Sequence, residues 1–343
     1  MKLKPVLVLV AVFLRSSLFA AAPDVVWQVP TPSMLANSIQ GVGWSPGTSG
    51  RVAFGSTDRW VRTRRATTGV LLFSVLQPIR SGGADQTIYS IDGAFLAVHN
   101  RSGGLGYRVH RAADGTFLGM LSVMLDANGL IRFAPDAQLL AAVGGDGTLS
   151  RWRVENFTVV VTVGSGYQRT NTTFNFSPDG AYQSAASRGN ITIRRRADAS
   201  IVATFPGGPL QGFTPVAFTP DSSSVAVWAS DPNETTLRRI SDGSVLRRFP
   251  GAVPEEGVGA LRFTPDGTRL VTTGYLPFVD ADGLWQQKGI IRFWRVADGA
   301  LRQVYDTRTG IAVTSPVAWS PDGARFVYGT YEGTAVAART PAP

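Results

Sequence analysis

A short motif with the pattern aromatic-Ser/Thr-Pro-Asp-Gly recurs along the whole chain. It is complete at Phe176, Phe263 and Trp319, and weaker or degenerate in four other places. The proline position falls at Pro46, Ile91, Pro135, Pro178, Pro220, Pro265 and Pro321. The intervals are 45, 44, 43, 42, 45 and 56 residues, so one repeat carries an insertion of about a dozen residues. A period of this length is typical of repeat architectures, in which each unit packs on its neighbours.

Each repeat contains four short runs with the composition of β-strands. In the third repeat these runs cover residues 130–133, 139–143, 148–154 and 158–163. Alternating apolar and polar residues favour strands, and the Asp-Gly and Gly-Gly pairs between the runs favour tight hairpins. The 343 residues also exceed the roughly 250 to 300 at which a single hydrophobic core stops growing. Seven repeats of four strands therefore predict an all-β, seven-bladed β-propeller of antiparallel blades rather than two domains.

The two ends of the chain predict how this ring closes. Residues 25–29 look like the fourth strand of a repeat, whereas the seventh repeat has only three such runs, at 317–319, 325–329 and 334–339. The N-terminal strand is therefore expected to pair with the C-terminal blade. Such pairing covers two sheet edges that would otherwise favour aggregation.

The Ser-Pro-Asp-Gly turn and a later segment in each repeat resemble the WD-repeat β-propeller family. Examples of that segment are residues 146–153, Asp-Gly-Thr-Leu-Ser-Arg-Trp-Arg, and residues 289–299. The resemblance covers essentially all of residues 23–343, which we treat as one domain. It implies a rigid ring that serves as a platform for a protein or peptide partner.

The chain departs from that family at the Trp-Asp pair late in the third strand. Arginine fills the Asp position in all seven repeats, at Arg65, Arg111, Arg153, Arg195, Arg239, Arg295 and Arg339. A guanidinium can bond a carboxylate at two points, so we expect this arginine column to bind turn carboxylates or nearby carbonyls. The turn carboxylates are those of Asp136, Asp179, Asp221, Asp266 and Asp322. The alternative is a positive ring for an anionic ligand, and we favour the structural role.

The N-terminus has the layout of a signal peptide. Lys2 and Lys4 precede an apolar run over residues 5–14, and small residues follow at 20–22. A run of this length is too short to span a bilayer, so we expect residues 1–22 to be removed and no stable membrane span to remain. Removal of both lysines and Arg15 lowers the net charge from +9 to +6. The expected location is secreted or periplasmic.

The sequence offers little catalytic chemistry. It contains no cysteine and only two histidines, His99 and His110, so we assign no catalytic residue, cofactor or metal site. The periodic arginines account for much of the basic charge, and we expect no nucleic-acid partner. The function that fits is non-catalytic binding of a protein or peptide outside the cytoplasm, by a monomer. The alternative is a propeller hydrolase, similar to a lactonase, with an acidic or metal site in its central channel.

The insertion in the sixth repeat is the segment that the repeat does not explain. It runs from about residue 275 to 288, and we expect a loop with large apolar side chains there. Loops that depart from a rigid repeat often carry binding residues. The loop before the sixth repeat should lie beside it and supply an acidic lip. The predicted binding residues are Phe278, Asp280, Asp282, Trp285, Glu255 and Glu256.

Overall fold

The computed structural model describes most of the chain after residue 21. The described residues are 22–31, 38–78, 83–100, 107–121, 131–136, 138–143, 148–164, 173–187, 190–207, 215–230, 233–251, 257–279, 282–283, 285–307 and 317–342. The predicted signal segment lies almost wholly outside them. In the described part of the chain, no helix has the length and apolar character needed to cross a membrane.

The described strands form seven antiparallel sheets of four strands each. The first strand, β1 (Val25–Pro30), belongs to the last blade. Blade 1 contains β2 (Ile39–Trp44), β3 (Arg51–Ser56), β4 (Trp60–Arg65) and β5 (Leu71–Leu76). Blade 2 contains β6 (Ala84–Tyr89), β7 (Phe95–Asn100), β8 (Tyr107–Arg111) and β9 (Phe117–Leu121). Blade 3 contains β10 (Ile131–Phe133), β11 (Leu139–Val143), β12 (Thr148–Arg153) and β13 (Val159–Gly164).

The remaining blades repeat this order. Blade 4 contains β14 (Thr173–Phe176), β15 (Tyr182–Ser187), β16 (Asn190–Arg195) and β17 (Ile201–Pro206). Blade 5 contains β18 (Val216–Phe218), β19 (Ser224–Ser230), β20 (Asn233–Arg239) and β21 (Val245–Pro250). Blade 6 contains β22 (Gly257–Phe263), β23 (Arg269–Val279), β24 (Trp285–Arg295) and β25 (Leu301–Asp306). Blade 7 contains β26 (Ala318–Trp319), β27 (Arg325–Gly329) and β28 (Thr334–Arg339), and the predicted seven-bladed ring is confirmed.

The ring closes as the sequence predicted. β1 pairs antiparallel with β28, so the N-terminal strand becomes the outer strand of blade 7. Trp27 is buried between blades 7 and 1, where its indole Nε1 donates a hydrogen bond to the Ala66 carbonyl oxygen at 2.9 Å. Its ring meets Phe54 edge to face, with centroids 6.0 Å apart. Closure therefore joins the last blade to the first by side-chain packing as well as by the strand ladder.

An aromatic side chain ends the first strand of every blade. The seven residues are Trp44, Tyr89, Phe133, Phe176, Phe218, Phe263 and Trp319. The described core consists of seven apolar clusters, one between each pair of adjacent blades, and each cluster includes one of these aromatics. Burying one such side chain contributes about 1.5–3 kcal/mol. The ring is therefore stabilised by seven apolar clusters between blades, each with one of these aromatic side chains, rather than by one central core.

The side chain of Trp27 provides a test of closure. Trp27→Ala removes a buried ring and its hydrogen bond to Ala66, so we expect the free energy of unfolding to fall by about 3–5 kcal/mol. Val25→Ala is the matched control, because Val25 lies on the same strand and is 40% exposed. That variant should lose less than about 0.5 kcal/mol. Urea unfolding of both variants measures the difference, and equal midpoints would contradict a stabilising role for Trp27 in closure.

Candidate functional site

The insertion of the sixth repeat lengthens a hairpin. β23 and β24 each have 11 residues, and their pairing continues without a break from Arg269 opposite Arg295 to Val279 opposite Trp285. We expected a loop at Phe278 and Trp285, and that expectation is wrong, because both continue the ladder. Aromatic and branched residues on each side of the turn favour strands, which explains the extension.

The outer part of this hairpin leaves the blade as a two-stranded arm. The pairing of β22 with β23 ends at Tyr275, and the pairing of β25 with β24 ends at Ile290. Within the described strands, residues 276–279 and 285–288 pair only with each other, and we call these eight residues the arm. At its base the Lys288 ammonium bonds the Asp306 carboxylate at 2.6 Å, which ties β24 to the end of β25.

The predicted binding residues are only partly described. Asp282 is exposed in the turn at the tip of the arm, next to Gly283, which has φ of 79°. The backbone places Phe278 and Trp285 in the two arm strands, and their side chains lie outside the described part. The other predicted members also lie outside it, namely Asp280, Glu255 and Glu256. The structure therefore places two of the six in the arm and Asp282 in the turn that joins its strands, and the acidic lip stays a prediction.

The arginine column lies at the surface, where all seven side chains are exposed. In three repeats an ion pair joins this arginine to the hairpin that follows its strand, namely Arg111 to Asp114, Arg239 to Asp242 and Arg295 to Asp298. Arg153 lies 4.0 Å from Glu155, and Arg339 bonds Asp24 beside the closing strand at 2.9 Å. These partners are not the turn aspartates that we expected. Exposed pairs of this kind contribute about 0–1 kcal/mol each.

The turn aspartates are used within their own turns. In five repeats a Ser or Thr hydroxyl donates to the aspartate two residues later, over 2.5–2.6 Å, joining Ser90 to Asp92, Ser177 to Asp179, Thr219 to Asp221, Thr264 to Asp266 and Ser320 to Asp322. The same carboxylates accept a backbone N–H from two residues further on. Asp136 follows Ala134, which has no hydroxyl, and it pairs with Arg196 of the next blade at 3.0 Å. Local hydrogen bonding is therefore the reason that most of these carboxylates are not bound by the arginine column.

The position one residue before the arginine column bonds the hairpin that follows. In four repeats a side chain there contacts the carbonyl oxygen five residues later, pairing Arg64 with Gly69, His110 with Gly115, Arg194 with Ala199 and Arg238 with Gly243, at 2.8–3.3 Å. Each accepting residue has a positive φ, between 59° and 80°. These side chains satisfy a carbonyl that the turn leaves outside the strand ladder. The sequence shows Arg or His at this position, but it does not show that these side chains contact the carbonyl of the turn.

The central channel is lined by the first strands of the seven blades. One residue per blade, three before the proline position, faces it, and the seven are Gly43, Ile88, Arg132, Asn175, Ala217, Arg262 and Ala318. The cavity measures about 570 Å³ and extends to Pro178, Pro220 and Pro265 of the turns. At Gly43 a Cβ would lie 2.7 Å from the Thr87 carbonyl oxygen, so glycine lets blades 1 and 2 approach closely. The channel therefore opens towards the face that carries the turns.

Two arginines give this channel its charge. Arg132 Nε donates to the Asn175 side-chain oxygen at 3.4 Å, and Arg262 Nη1 donates to the Leu261 carbonyl oxygen at 2.9 Å. Burial lowers the pKa of Arg262, and burial together with the charge of Arg262 lowers the pKa of Arg132. Among the described residues that line the cavity, none is acidic. Neither arginine was predicted from the sequence, although each stands directly before the aromatic residue of its turn motif.

The other candidate groups for catalysis are packed inside blade 2. His99 is buried, and its ring lies 4.6 Å from the ring of Tyr107. His110 is also buried, and burial lowers its pKa to about 4. The described residues contain no group of three His, Asp or Glu side chains placed to share a metal ion. Both histidines have the surroundings of packed strand residues.

No protein-family model matches the chain, and no curated protein matches it. The functional interpretation therefore depends on the geometry of the arm and the channel.

Substitutions at the adjacent residues Arg64 and Arg65 distinguish two roles. Arg64 bonds the carbonyl of the hairpin turn, whereas Arg65 belongs to the exposed arginine column. Arg64→Ala leaves the Gly69 carbonyl without its 2.8 Å donor, so the free energy of unfolding should fall by about 1–3 kcal/mol. Arg65→Ala removes an exposed side chain and should cost less than about 0.5 kcal/mol. Chemical denaturation of the two variants checks this order, and a larger loss for Arg65→Ala would reverse it.

His110 should make the fold sensitive to acid. Its pKa is 6.5 in the unfolded chain and about 4 in the folded protein, so below pH 6.5 the unfolded state binds the extra proton. Stability from this group is therefore full above pH 6.5 and falls by about 3 kcal/mol as the pH drops to 4. His110→Gln keeps a donor for Gly115 but does not titrate. Urea unfolding at pH 7 and pH 4 should show a smaller loss for this variant than for the wild type, and equal losses would count against the assignment.

Proposed function

We propose that this protein is a non-catalytic binding propeller that holds a protein or peptide partner outside the cytoplasm. The arm of blade 6 is the observation that carries the proposal. It departs from the repeat as an ordered continuation of two strands, and its base is fixed by the pair Lys288–Asp306. A ring that carries this ribbon on blade 6 suits recognition of another chain.

The backbone of the arm suits pairing with an extended peptide. A strand that ends a sheet has N–H and C=O groups facing outwards, and an added strand gains affinity from these hydrogen bonds. Pro277 has no N–H, so β24 has the more complete set of backbone donors along residues 285–288. In sequence these four residues are Trp, Gln, Gln and Lys, so the edge is mostly polar. We expect the partner to pair with the β24 edge.

The family and the location are part of the same proposal. The seven turn motifs and the third-strand segments support a divergent member of the WD-repeat family, in which Arg or His replaces most of the Trp column. The positively charged start, the apolar run and the small residues of positions 1–22 support export and removal of a signal peptide. We expect the mature protein to act as a monomer.

The charge of the channel favours binding over the hydrolase alternative. A propeller hydrolase needs carboxylates or metal ligands in the channel, whereas the described lining residues include Arg132, Arg262 and no acid. Guanidinium groups do not ligate a metal cation, since they are donors without an acceptor. No described feature favours the hydrolase.

Deletion of the arm tests this function. Replacing residues 276–288 by Asn-Gly should leave the ring folded, because residues 276–279 and 285–288 have no strand partner in the described blade. Proximity labelling in the native envelope or secretion fluid would identify neighbours of the wild-type protein. A purified neighbour should bind the shortened variant at least tenfold more weakly.

Arg302→Ala is the control, because it removes an exposed cation from β25 of the same blade and keeps the full length of both arm strands. It should retain binding within about threefold if the backbone edge carries the affinity. Equal binding of the partner to the wild type and to the shortened variant would refute the role of the arm.

A further inference from the structure

The two channel arginines lie in one layer of the ring. Arg132 and Arg262 occupy the same position of their repeats, three residues before the proline, in blades 3 and 6. Two blades lie between them in one direction around the ring and three in the other, so they approach the channel from nearly opposite sides. The layer holds small residues in three other blades, Gly43, Ala217 and Ala318, which leave space between the two side chains.

Hydrogen bonds within the ring orient both guanidinium groups. Asn175 accepts from Arg132 Nε at 3.4 Å, accepts from the backbone N–H of Phe176 at 3.1 Å, and donates to the Val216 carbonyl at 3.4 Å. Its amide is thus fixed between blades 3 and 5. Arg262 is held by the carbonyl of Leu261, directly before it in the strand. The positions of the two charges are therefore set by the scaffold.

Two like charges in one partly buried cavity are unfavourable unless something negative joins them. Burial lowers the pKa of Arg262, and the described lining contains no carboxylate that would raise it. A structural role alone does not require two arginines here, because the equivalent positions of other blades hold Gly, Ala, Ile or Asn. An anion between them would relieve the repulsion and accept their N–H groups.

We propose that the central channel binds a small oxyanion ligand, whose carboxylate or phosphate group lies between Arg132 and Arg262. The planar fork of a guanidinium matches the oxygens of either group. A cavity of about 570 Å³ has the size of a small-molecule site. Aromatic side chains, among them Trp44, Tyr89 and Trp319, also line it and offer apolar contact to the rest of the ligand. Entry is from the turn face.

This site is independent of the arm. It lies in the channel, and its ligand is a small anion rather than a protein strand. The channel can bind an anion whether or not the arm binds a partner, and the arm can bind a partner whether or not the channel binds an anion. A negative result for one proposal therefore does not contradict the other.

Calorimetric titration at constant ionic strength tests the site. The probes are inorganic phosphate, for the phosphate class, and succinate and citrate, for the carboxylate class. We expect at least one class to bind the wild-type protein with a Kd below about 1 mM. Arg132→Gln and Arg262→Gln should each weaken that binding at least tenfold. Arg247→Gln, which removes the same charge from an exposed position on β21, should change it less than about twofold.

Thermal unfolding with the same probes separates binding from loss of fold. The bound anion should raise the melting temperature of the wild type and of Arg247→Gln, but not of the two channel variants. If a glutamine variant does not fold, Arg262→Lys keeps the charge without the fork and should bind several-fold more weakly than the wild type. The proposal is overturned if neither class of anion binds the wild type at about 10 mM, or if Arg247→Gln loses as much affinity as the channel variants.

Discussion

Packing between neighbouring blades is the constraint on which the rest of this structure depends. Each blade is a small sheet that cannot bury its own faces, so every apolar cluster of the described core lies between two blades. One aromatic residue at the end of each first strand enters the cluster with the preceding blade. The Ser-Pro-Asp-Gly turn follows this aromatic directly, and its internal hydrogen bonds fix where the strand ends. Each copy of the repeat motif therefore encodes one aromatic side chain that packs between blades and one turn that ends the first strand.

The hairpin after the third strand depends on one side-chain donor. A carbonyl at a left-handed residue needs a donor, and the donor comes from the residue directly before the arginine column. Arg64, Arg194 and Arg238 reach it with a guanidinium, and His110 reaches it with a ring nitrogen. The requirement is one N–H at a fixed distance from the turn, which several side chains can meet. The neighbouring arginine column is free to be exposed, and its contribution to stability is correspondingly small.

The alternation of side chains along each first strand both packs the blades and supplies the residues that line the channel. Along a first strand, the aromatic points between blades and the residue before it points towards the axis. In blades 3 and 6 that inner residue is Arg132 or Arg262, and in the other five blades it is uncharged. Two charges are therefore placed in one layer without any change to the scaffold. The arm of blade 6, at the other end of the blade hairpins, extends the ladder and leaves the packing of its blade intact.

The sequence by itself determined the number of blades, the four strands in each and the closure of the ring, because periodic spacing and alternation are local properties of the chain. It did not determine the partners of the arginine column, since a carboxylate already bonded within its own turn is not available to a distant guanidinium. It placed Phe278 and Trp285 in a loop because an insertion interrupts the period, although cross-strand pairing turns the same residues into an arm. Only the tertiary structure brought Arg132 and Arg262 together, because 129 intervening residues close into a ring before the two strands face one channel.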